Sequence, residues 1–294
     1  MELVNVKDIF SLVRNRRSWV QGLVTLGTNP HLGNFLSGSI YRGKAKSLCV
    51  PGLNCYSCPA ATGACPIGAF QAVVGGTKYN FSYYITGILI FLGVLVGRLI
   101  CGFFCPFGWF QDLLHKIPSP KKSTKKWKWL KGIKYGVLLV AVILLPIFLT
   151  DSIGLAPPYF CKYLCPQGIL EGGIPLSLAS KSIRAGLGNL FLLKATILAA
   201  VVGLSIVFYR PFCKWICPLG AFYSLFNKIS IYGYTVDQNK CIHCKKCAKT
   251  CKMDVDMSEN QDSLECIRCG ECIKVCPTHA IETGNTWKRK EKEK

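Results

Sequence analysis

Three long apolar stretches punctuate the chain, at residues 83–100, 133–149 and 187–209. An α-helix needs about 20 predominantly apolar residues to cross roughly 30 Å of hydrocarbon, and each stretch approaches that length, so each predicts a transmembrane helix. A fourth, at 19–40, is broken by Asn29, Pro30, His31 and Asn34; hydropathy alone fits a full crossing or a re-entrant or interfacial helix. The polar positions between the stretches set the orientation. Residues 116–134 hold eight lysines and no acid, and cytoplasmic loops carry the excess of lysine and arginine. With that loop inside and four crossings, Arg14, Arg16 and Arg17 also fall inside, residues 41–80 and 151–186 fall outside, and everything after Arg210 is cytoplasmic. Three crossings would leave the N-terminal arginines outside, against the charge rule. The expectation is a multi-pass protein of the cytoplasmic (inner) membrane, with both termini in the cytoplasm and lipid as its first partner.

Composition agrees. Half of the 294 residues are apolar and 17% are charged, too greasy for an ordinary soluble domain. A formal charge of +21 would suit nucleic acid, but no arginine-rich recognition element or stacking motif accompanies it, and the lysines crowd beside apolar segments. Nucleic acid is therefore not an expected partner. The first ten residues hold acids and no short apolar core with a cleavage site, which argues against a removable signal peptide. Eighteen cysteines, clustered and often followed by proline, point to metal ligation rather than to the disulfide scaffold of a short secreted domain.

The most specific pattern is CIHCKKCAKTCKMD at 241–254 followed by CIRCGECIKVCPTHAI at 266–281, the doubled Cys-x2-Cys-x2-Cys-x3-Cys run of two-cluster ferredoxins. In such a run the first three cysteines hold one [4Fe–4S] cluster and the fourth reaches across to the other. This predicts Cys241, Cys244, Cys247 and Cys276 on one cluster, and Cys251, Cys266, Cys269 and Cys272 on the second. Lys252 stands where proline commonly follows the fourth cysteine, a departure that leaves the ligands intact. Structural zinc also takes four thiolates but seldom places four cysteines so tightly twice. The expected organisation is a polytopic helical membrane domain over 1–231, an α+β ferredoxin-like domain over 232–281, and a charged, disordered tail over 282–294.

A second pattern repeats inside the membrane part. ACPIGAF (64–70), CGFFCPFGWF (101–110), CKYLCPQG (161–168) and CKWICPLGAF (213–222) all carry Cys-Pro-x-Gly, and PYFCKYLCPQG and RPFCKWICPLG are nearly the same eleven residues. The unit reads as helix, outer Cys-Pro loop, helix, inner Cys-Pro loop, occurring twice, so the two outer loops should meet and so should the two inner ones. A Cys-x3-Cys spacing places both sulfurs on one side of a helical turn, and the proline fixes where the chain turns away. Cys101/Cys105 and Cys213/Cys217 then supply four thiolates for a third [4Fe–4S] cluster at the inner membrane face. Buried free thiols are the plainer explanation, but they do not account for the repetition. Outside lie Cys49, Cys55, Cys58, Cys65, Cys161 and Cys165. Cys65 matches Cys165, but Ala61 occupies the position matching Cys161, so Cys58 or Cys55 must substitute. The preferred set for a fourth cluster is Cys58, Cys65, Cys161 and Cys165. The N-terminal four alone are the competing set, and a spare pair on the oxidising side has a disulfide open to it.

Cys-x3-Cys-Pro pairs after membrane helices, closed by a doubled ferredoxin motif, resemble the NapH-type membrane iron–sulfur proteins over residues 14–281. That family is the quinol-dehydrogenase subunit group of periplasmic nitrate reductases, related to the membrane half of the nitrous-oxide reductase regulator. The resemblance implies four crossings, ferredoxin clusters in the cytoplasm, and electron passage between quinol or a cytoplasmic donor and periplasmic partners. It also implies ligand roles for Cys101, Cys105, Cys213, Cys217 and the eight tail cysteines. The outer set, around residues 49–65 and Cys161/Cys165, departs from the simpler members and shifts the expectation from quinol oxidation towards a wire between the two faces.

Little other chemistry is visible. His243 and His279 lie inside the cluster motifs, so a haem with two histidine ligands on facing helices is not expected. His115, near Trp109 and Asp112, suits an interfacial helix with an aromatic belt, with a quinone headgroup as the alternative contact. Lys194 is expected to snorkel to the outer interface. With no dinucleotide fingerprint, Walker loop or nucleophile–base set, no catalytic residue is expected. The reading is an electron-transfer subunit of an oxidoreductase complex rather than a stand-alone enzyme. Basic side chains around the tail clusters favour an acidic soluble ferredoxin or flavodoxin as one partner, with a quinone or an extracytoplasmic redox protein as the other. A quinol dehydrogenase subunit and a redox-sensing or assembly protein are the alternatives.

Overall fold

The computed structural model describes residues 16–76, 82–151 and 155–287; Arg14 and the last seven residues of the expected tail lie outside them. The chain is mostly helical. Among the described residues two helices are long and apolar enough to cross a membrane, Lys125–Phe148 and Asn189–Val207, on the stretches expected at 133–149 and 187–209. Both turn apolar side chains outward, Leu139, Val140 and Phe148 on the first and Leu192 and Leu193 on the second, as a lipid solvent permits. The first widens into a π-helical segment at Leu138–Leu144 just before Pro146, whose ring would collide with the carbonyl one turn back in a regular α-helix.

The other two apolar stretches give shorter helices. Tyr83–Val96 has 14 residues and stops at Gly97, whose φ of +50° favours glycine and where a Cβ would lie 2.5 Å from Asn227 Oδ1. The chain resumes as Leu99–Phe103. The interrupted stretch at 19–40 becomes Arg17–Thr28, 12 residues long, and a single turn at Asn34–Ser37. The first of these ends where Asn29 folds its amide back onto Thr25 O and Pro30 removes the next donor.

One junction recurs four times. Cys65, Cys105, Cys165 and Cys217 are N-caps in extended conformation, with ψ between 112° and 128°, and a proline opens the helix behind each. At that first helical position proline's missing N–H costs nothing and its fixed φ is already helical.

Beyond Ser230 the chain forms a smaller unit. Strand β1 (Tyr232–Val236) pairs antiparallel with β2 (Ile281–Asn285), in register from Tyr232↔Asn285 to Val236↔Ile281, and the two cysteine runs lie between them. The expected boundary at 281 is corrected here: Ile281 is buried, and the Thr286 hydroxyl donates to Ser230 O. Trp287 Nε1 donates to Ile229 O at 2.6 Å, so residues 282–287 belong to the folded unit. Among the described residues the larger of two apolar clusters runs from Ile67 and Leu89 through Phe107, Phe212 and Leu219 into Val255, Met257 and Ile267.

Candidate iron–sulfur sites

At each Cys-Pro junction the sulfur sits where an N-cap side chain accepts hydrogen bonds from the first helical turn. The Gly108 amide donates to Cys105 Sγ and the Gly220 amide to Cys217 Sγ, both at 3.4 Å; the amides of Gly68 and Gly168 lie near enough to Cys65 and Cys165 to favour their thiolates. The glycine also leaves room. A Cβ at Gly108 would lie 3.1 Å from Arg210 Nη1 and from Cys101 O, and one at Gly168 would lie 3.2 Å from Lys194 Nζ.

Cys101, Cys105, Cys213 and Cys217 are all buried and within electrostatic reach of one another. Burial, with Cys213 and Cys101 beside it, pushes the Cys105 thiol up to about 12. Thiols so placed resist ionising together on their own, and bound iron cations reverse that balance. Two arginines clamp the site crosswise. Arg98 Nη2 donates to Cys213 O at 3.3 Å, and Arg210 Nη1 donates to Cys101 O. Arg98 is paired with Glu265 at 2.9 Å, which also takes Lys134. Arg210 is paired with Asp112 at 2.6 Å, which also takes Arg17 at 2.7 Å. Burial alone would raise the Asp112 carboxyl, but Arg210 and Arg17 overrule it and hold it at about 2. The sequence carries this clamp as Arg-x2-Cys-x3-Cys-Pro-x-Gly at both inner motifs, a signal that counting cysteines passes over.

Two glutamines were equally invisible to a cysteine count. Gln111, six residues after Cys105, donates from Nε2 to Cys213 Sγ at 3.1 Å. Gln71, six residues after Cys65, donates to Cys161 Sγ at 3.2 Å. Their amide orientation is settled by the other contacts: the same nitrogens donate to Phe107 O and Ile67 O, and Gln71 Oε1 accepts from the Phe160 amide.

The outer cysteines surround a cavity of about 530 Å³ whose thiols are Cys55, Cys65, Cys161 and Cys165. Cys58, expected among them, is not: it packs with Ala60 and Ala61 in a separate small patch, its Sγ 3.6 Å from Asn29 Oδ1. Cys49 forms an isolated bridge with Ala64. No disulfide joins any of the described cysteines. Asn54 lines the cavity with both amide atoms buried and unpartnered, Gln167 Oε1 is unpartnered too, and Lys46 and Lys194 add two cations to the wall. Buried polar atoms without partners call for a group that completes them. The eight atoms of a cluster core, even at the ~30 Å³ a water takes in the liquid, occupy roughly 240 Å³, so the cavity accommodates one.

In the tail, Cys241, Cys244, Cys247 and Cys276 line one cavity. Cys251, Cys266, Cys269 and Cys272 lie within electrostatic reach of one another, and the Val255 amide donates to Cys251 Sγ at 3.4 Å. Matching residues of the two runs, His243 and Lys245 in the first and Arg268 and Gly270 in the second, take left-handed conformations. Such turns curl backbone N–H groups into the concavities that hold anionic clusters. Among the described residues no three His, Cys, Asp or Glu side chains are close enough to share a single metal ion.

The 4Fe-4S binding domain family matches residues 63–83, 81–125, 136–174 and 191–231, and a second 4Fe-4S binding domain family matches 261–282. The ferredoxin-type protein NapH of Escherichia coli is 28% identical over 63% of this chain and 59% of its own length. The methylamine utilization ferredoxin-type protein MauN of Paracoccus denitrificans is 26% identical over 66% and 54%. This is a NapH-like, ferredoxin-type 4Fe–4S protein. An uncharacterized protein of Methanocaldococcus jannaschii is 28% identical over 60% of this chain and 68% of its own length. The matches thus span little more than half of NapH and MauN. No solved structure matches.

In this NapH-like protein the thiol sites are neighbours. Gly102, next to Cys101, lies so close to the tail that a Cβ would stand 2.5 Å from Ile267 O. Arg268 Nη1 donates to Val96 O at 2.8 Å. Lys214, next to Cys213, donates to Lys252 O at 2.8 Å and pairs with Asp254 at 2.9 Å. On the other side, the buried Tyr223 lies within electrostatic reach of Cys101 and Cys105 as well as Cys65 and Cys49.

Proposed function

We propose that this membrane iron–sulfur protein passes single electrons along a row of four [4Fe–4S] clusters, between a cytoplasmic carrier and an extracytoplasmic or membrane redox partner. In this reading the tail clusters are held by Cys241, Cys244, Cys247 and Cys276, and by Cys251, Cys266, Cys269 and Cys272. The inner membrane cluster is held by Cys101, Cys105, Cys213 and Cys217, and the outer one by Cys55, Cys65, Cys161 and Cys165. The clusters supply the one-electron chemistry. The protein's contribution is burial, N–H···S bonds and nearby charge, the levers that set potentials. Four crossings with both termini in the cytoplasm keep the lysine-rich 116–134 loop and the tail on one side.

The observation that carries this reading is continuity. Tail and inner thiol groups adjoin where Gly102 meets Ile267 O, and inner and outer groups both lie within electrostatic reach of Tyr223. The likeness to NapH and MauN supports a role in electron transfer. An acidic ferredoxin or flavodoxin is the proposed cytoplasmic partner. A quinone site at His115 is less well supported, since its Nδ1 already meets Ser205 O at 3.3 Å and its ring packs edge-on against Tyr209.

The test is iron and acid-labile sulfide on anaerobically purified, detergent-solubilised protein, beside a truncation ending near Ser230. Four clusters require roughly sixteen irons in the full chain and roughly eight in the truncation. Values near twelve and four would mean that the outer cysteines hold no cluster, and the wire would give way to a cytoplasmic-side quinol dehydrogenase.

A further inference from the structure

The loop before the first Cys-Pro junction touches both membrane sites. Pro51 O accepts a hydrogen bond from Tyr223 OH at 3.1 Å. Gly52 lies so close to the inner site that a Cβ would stand 2.3 Å from Phe104 O and 2.8 Å from Cys105 Cα. Leu53 is almost fully buried, and its backbone N–H lies near enough to Cys105 to favour the thiolate. Two residues later Cys55 opens into the outer cavity beside Asn54, its own N–H held by Glu171 Oε2 at 2.9 Å.

We infer that residues 51–55 are the bridge between the two membrane clusters: the Gly52–Leu53 backbone lies against Cys105 of the inner site, and Cys55 of the outer one follows two peptide units on. The inference rests on the proposed function, in which both sites hold clusters. With both clusters bound, an electron moving outward would leave the inner one oxidised from +1 to +2 and the outer one reduced from +2 to +1. No bond forms or breaks and no proton moves. Except for a single through-space step between Cys105 and the Gly52–Leu53 backbone the path is covalent, and covalent contact couples two centres better than packed side chains with van der Waals gaps. Tyr223 and the bare backbone of Gly52 hold the segment in place. The same geometry explains the choice of Cys55 over Cys58: Cys55 follows directly on the tethered stretch, whereas Cys58 lies past it, turned towards Asn29.

The experiment uses the full chain, loaded anaerobically and reduced with dithionite. Iron content separates the two ideas: roughly twelve irons would overturn the underlying reading, and roughly sixteen leaves the bridge to be judged by itself. In a sixteen-iron protein the EPR signals of the two membrane clusters should be split by each other. Cys58→Ser should keep the splitting, and Cys55→Ser should abolish it together with the outer signal. Leu53→Pro removes the N–H and no cysteine, so the inner cluster's midpoint should fall while the tail clusters stay unmoved, because a donor to sulfur favours the reduced, more negative state. If that variant loses iron, Tyr223→Phe replaces it, with a smaller shift of the same sign expected. Unsplit membrane signals in a sixteen-iron protein would overturn the bridge. So would an unmoved inner midpoint in whichever of these two variants keeps its iron.

Discussion

Gln71 and Gln111 each stand six residues after a Cys-Pro cysteine and reach the first cysteine of another pair, Cys161 and Cys213. An N–H aimed at a ligand sulfur stabilises the extra negative charge of a reduced cluster, so removing it lowers the potential. A hydrogen bond is worth about 1 kcal/mol net, which for a one-electron couple, at 59 mV per tenfold, is about 40 mV. Gln111→Leu should therefore lower one membrane midpoint by tens of millivolts and Gln71→Leu the other, in EPR-monitored titrations of protein with unchanged iron; a midpoint that stays put would reduce the glutamine to packing. A second prediction concerns Asp112, the shared partner of Arg17 and Arg210. Asp112→Asn leaves two arginines without their counter-charge, and breaking a buried pair in this way costs about 3–5 kcal/mol, to be read as a lower thermal midpoint in detergent. The pH dependence has a definite sign. Because the folded carboxyl is held at about 2, its stabilisation is complete above the ordinary carboxylate range and disappears as pH falls through about 2.

At the scale of elements, the parts legible in the sequence are those whose cause is local. Proline after cysteine dictates where a helix begins, and all four Cys-Pro junctions start helices. Uninterrupted apolar runs dictate membrane-length helices, as at Lys125–Phe148 and Asn189–Val207. Hydropathy gives no hint of the positive φ at Gly97, because glycine in an apolar run reads as one more greasy residue; the helix expected to reach residue 100 ends four residues early. The polar strand Ile281–Asn285 was equally hidden, since what makes it a strand is β1, some forty-five residues back. The spacing leaves Cys55 and Cys58 both open for the outer site, and the proposed choice of Cys55 depends on backbone contacts of a loop, which no cysteine spacing encodes. One element contact lends itself to direct test. Gly102 meets Ile267 O across the junction of membrane part and tail, and because the obstacle is backbone rather than a flexible side chain, Gly102→Ala must move one unit away from the other. All iron should be retained, while electron delivery from the tail to the membrane clusters slows, seen by rapid-freeze EPR after the tail clusters are reduced first. Unchanged delivery would mean that the junction at Gly102 is not the point of transfer.

At the scale of the whole molecule the dominant feature is charge, +21 over 294 residues. Part of it is consumed internally: Arg98, Lys134, Arg210 and Lys214 are all paired with acids at the inner site and its junction with the tail. The lysines of the 116–134 loop are different. Lys125, Lys126 and Lys128 are exposed and border a cleft shared with Ala248, Asp254, Val255 and Asp256 of the tail unit, so in the proposed row they flank the end where a cytoplasmic carrier would approach. A net positive field beside the proposed entry point raises the on-rate of an acidic partner by about 10- to 1,000-fold and loses that advantage as salt rises, since the screening length shrinks from about 30 Å at 0.01 M to about 10 Å at 0.1 M. Reduction by an acidic flavodoxin or ferredoxin should accordingly be fast at low salt and fall steeply with ionic strength. Lys125→Glu/Lys126→Glu/Lys128→Glu should slow it about tenfold or more at low salt and leave it unchanged at high salt. Lys181→Glu/Arg184→Glu changes two equally exposed cations on the predicted opposite face, and should leave both the rate and its salt slope as they are. If the two sets act alike, the carrier is responding to net charge alone and the lysine loop is only a topology signal; if only the first acts, the cytoplasmic entry to the row lies between that loop and the tail.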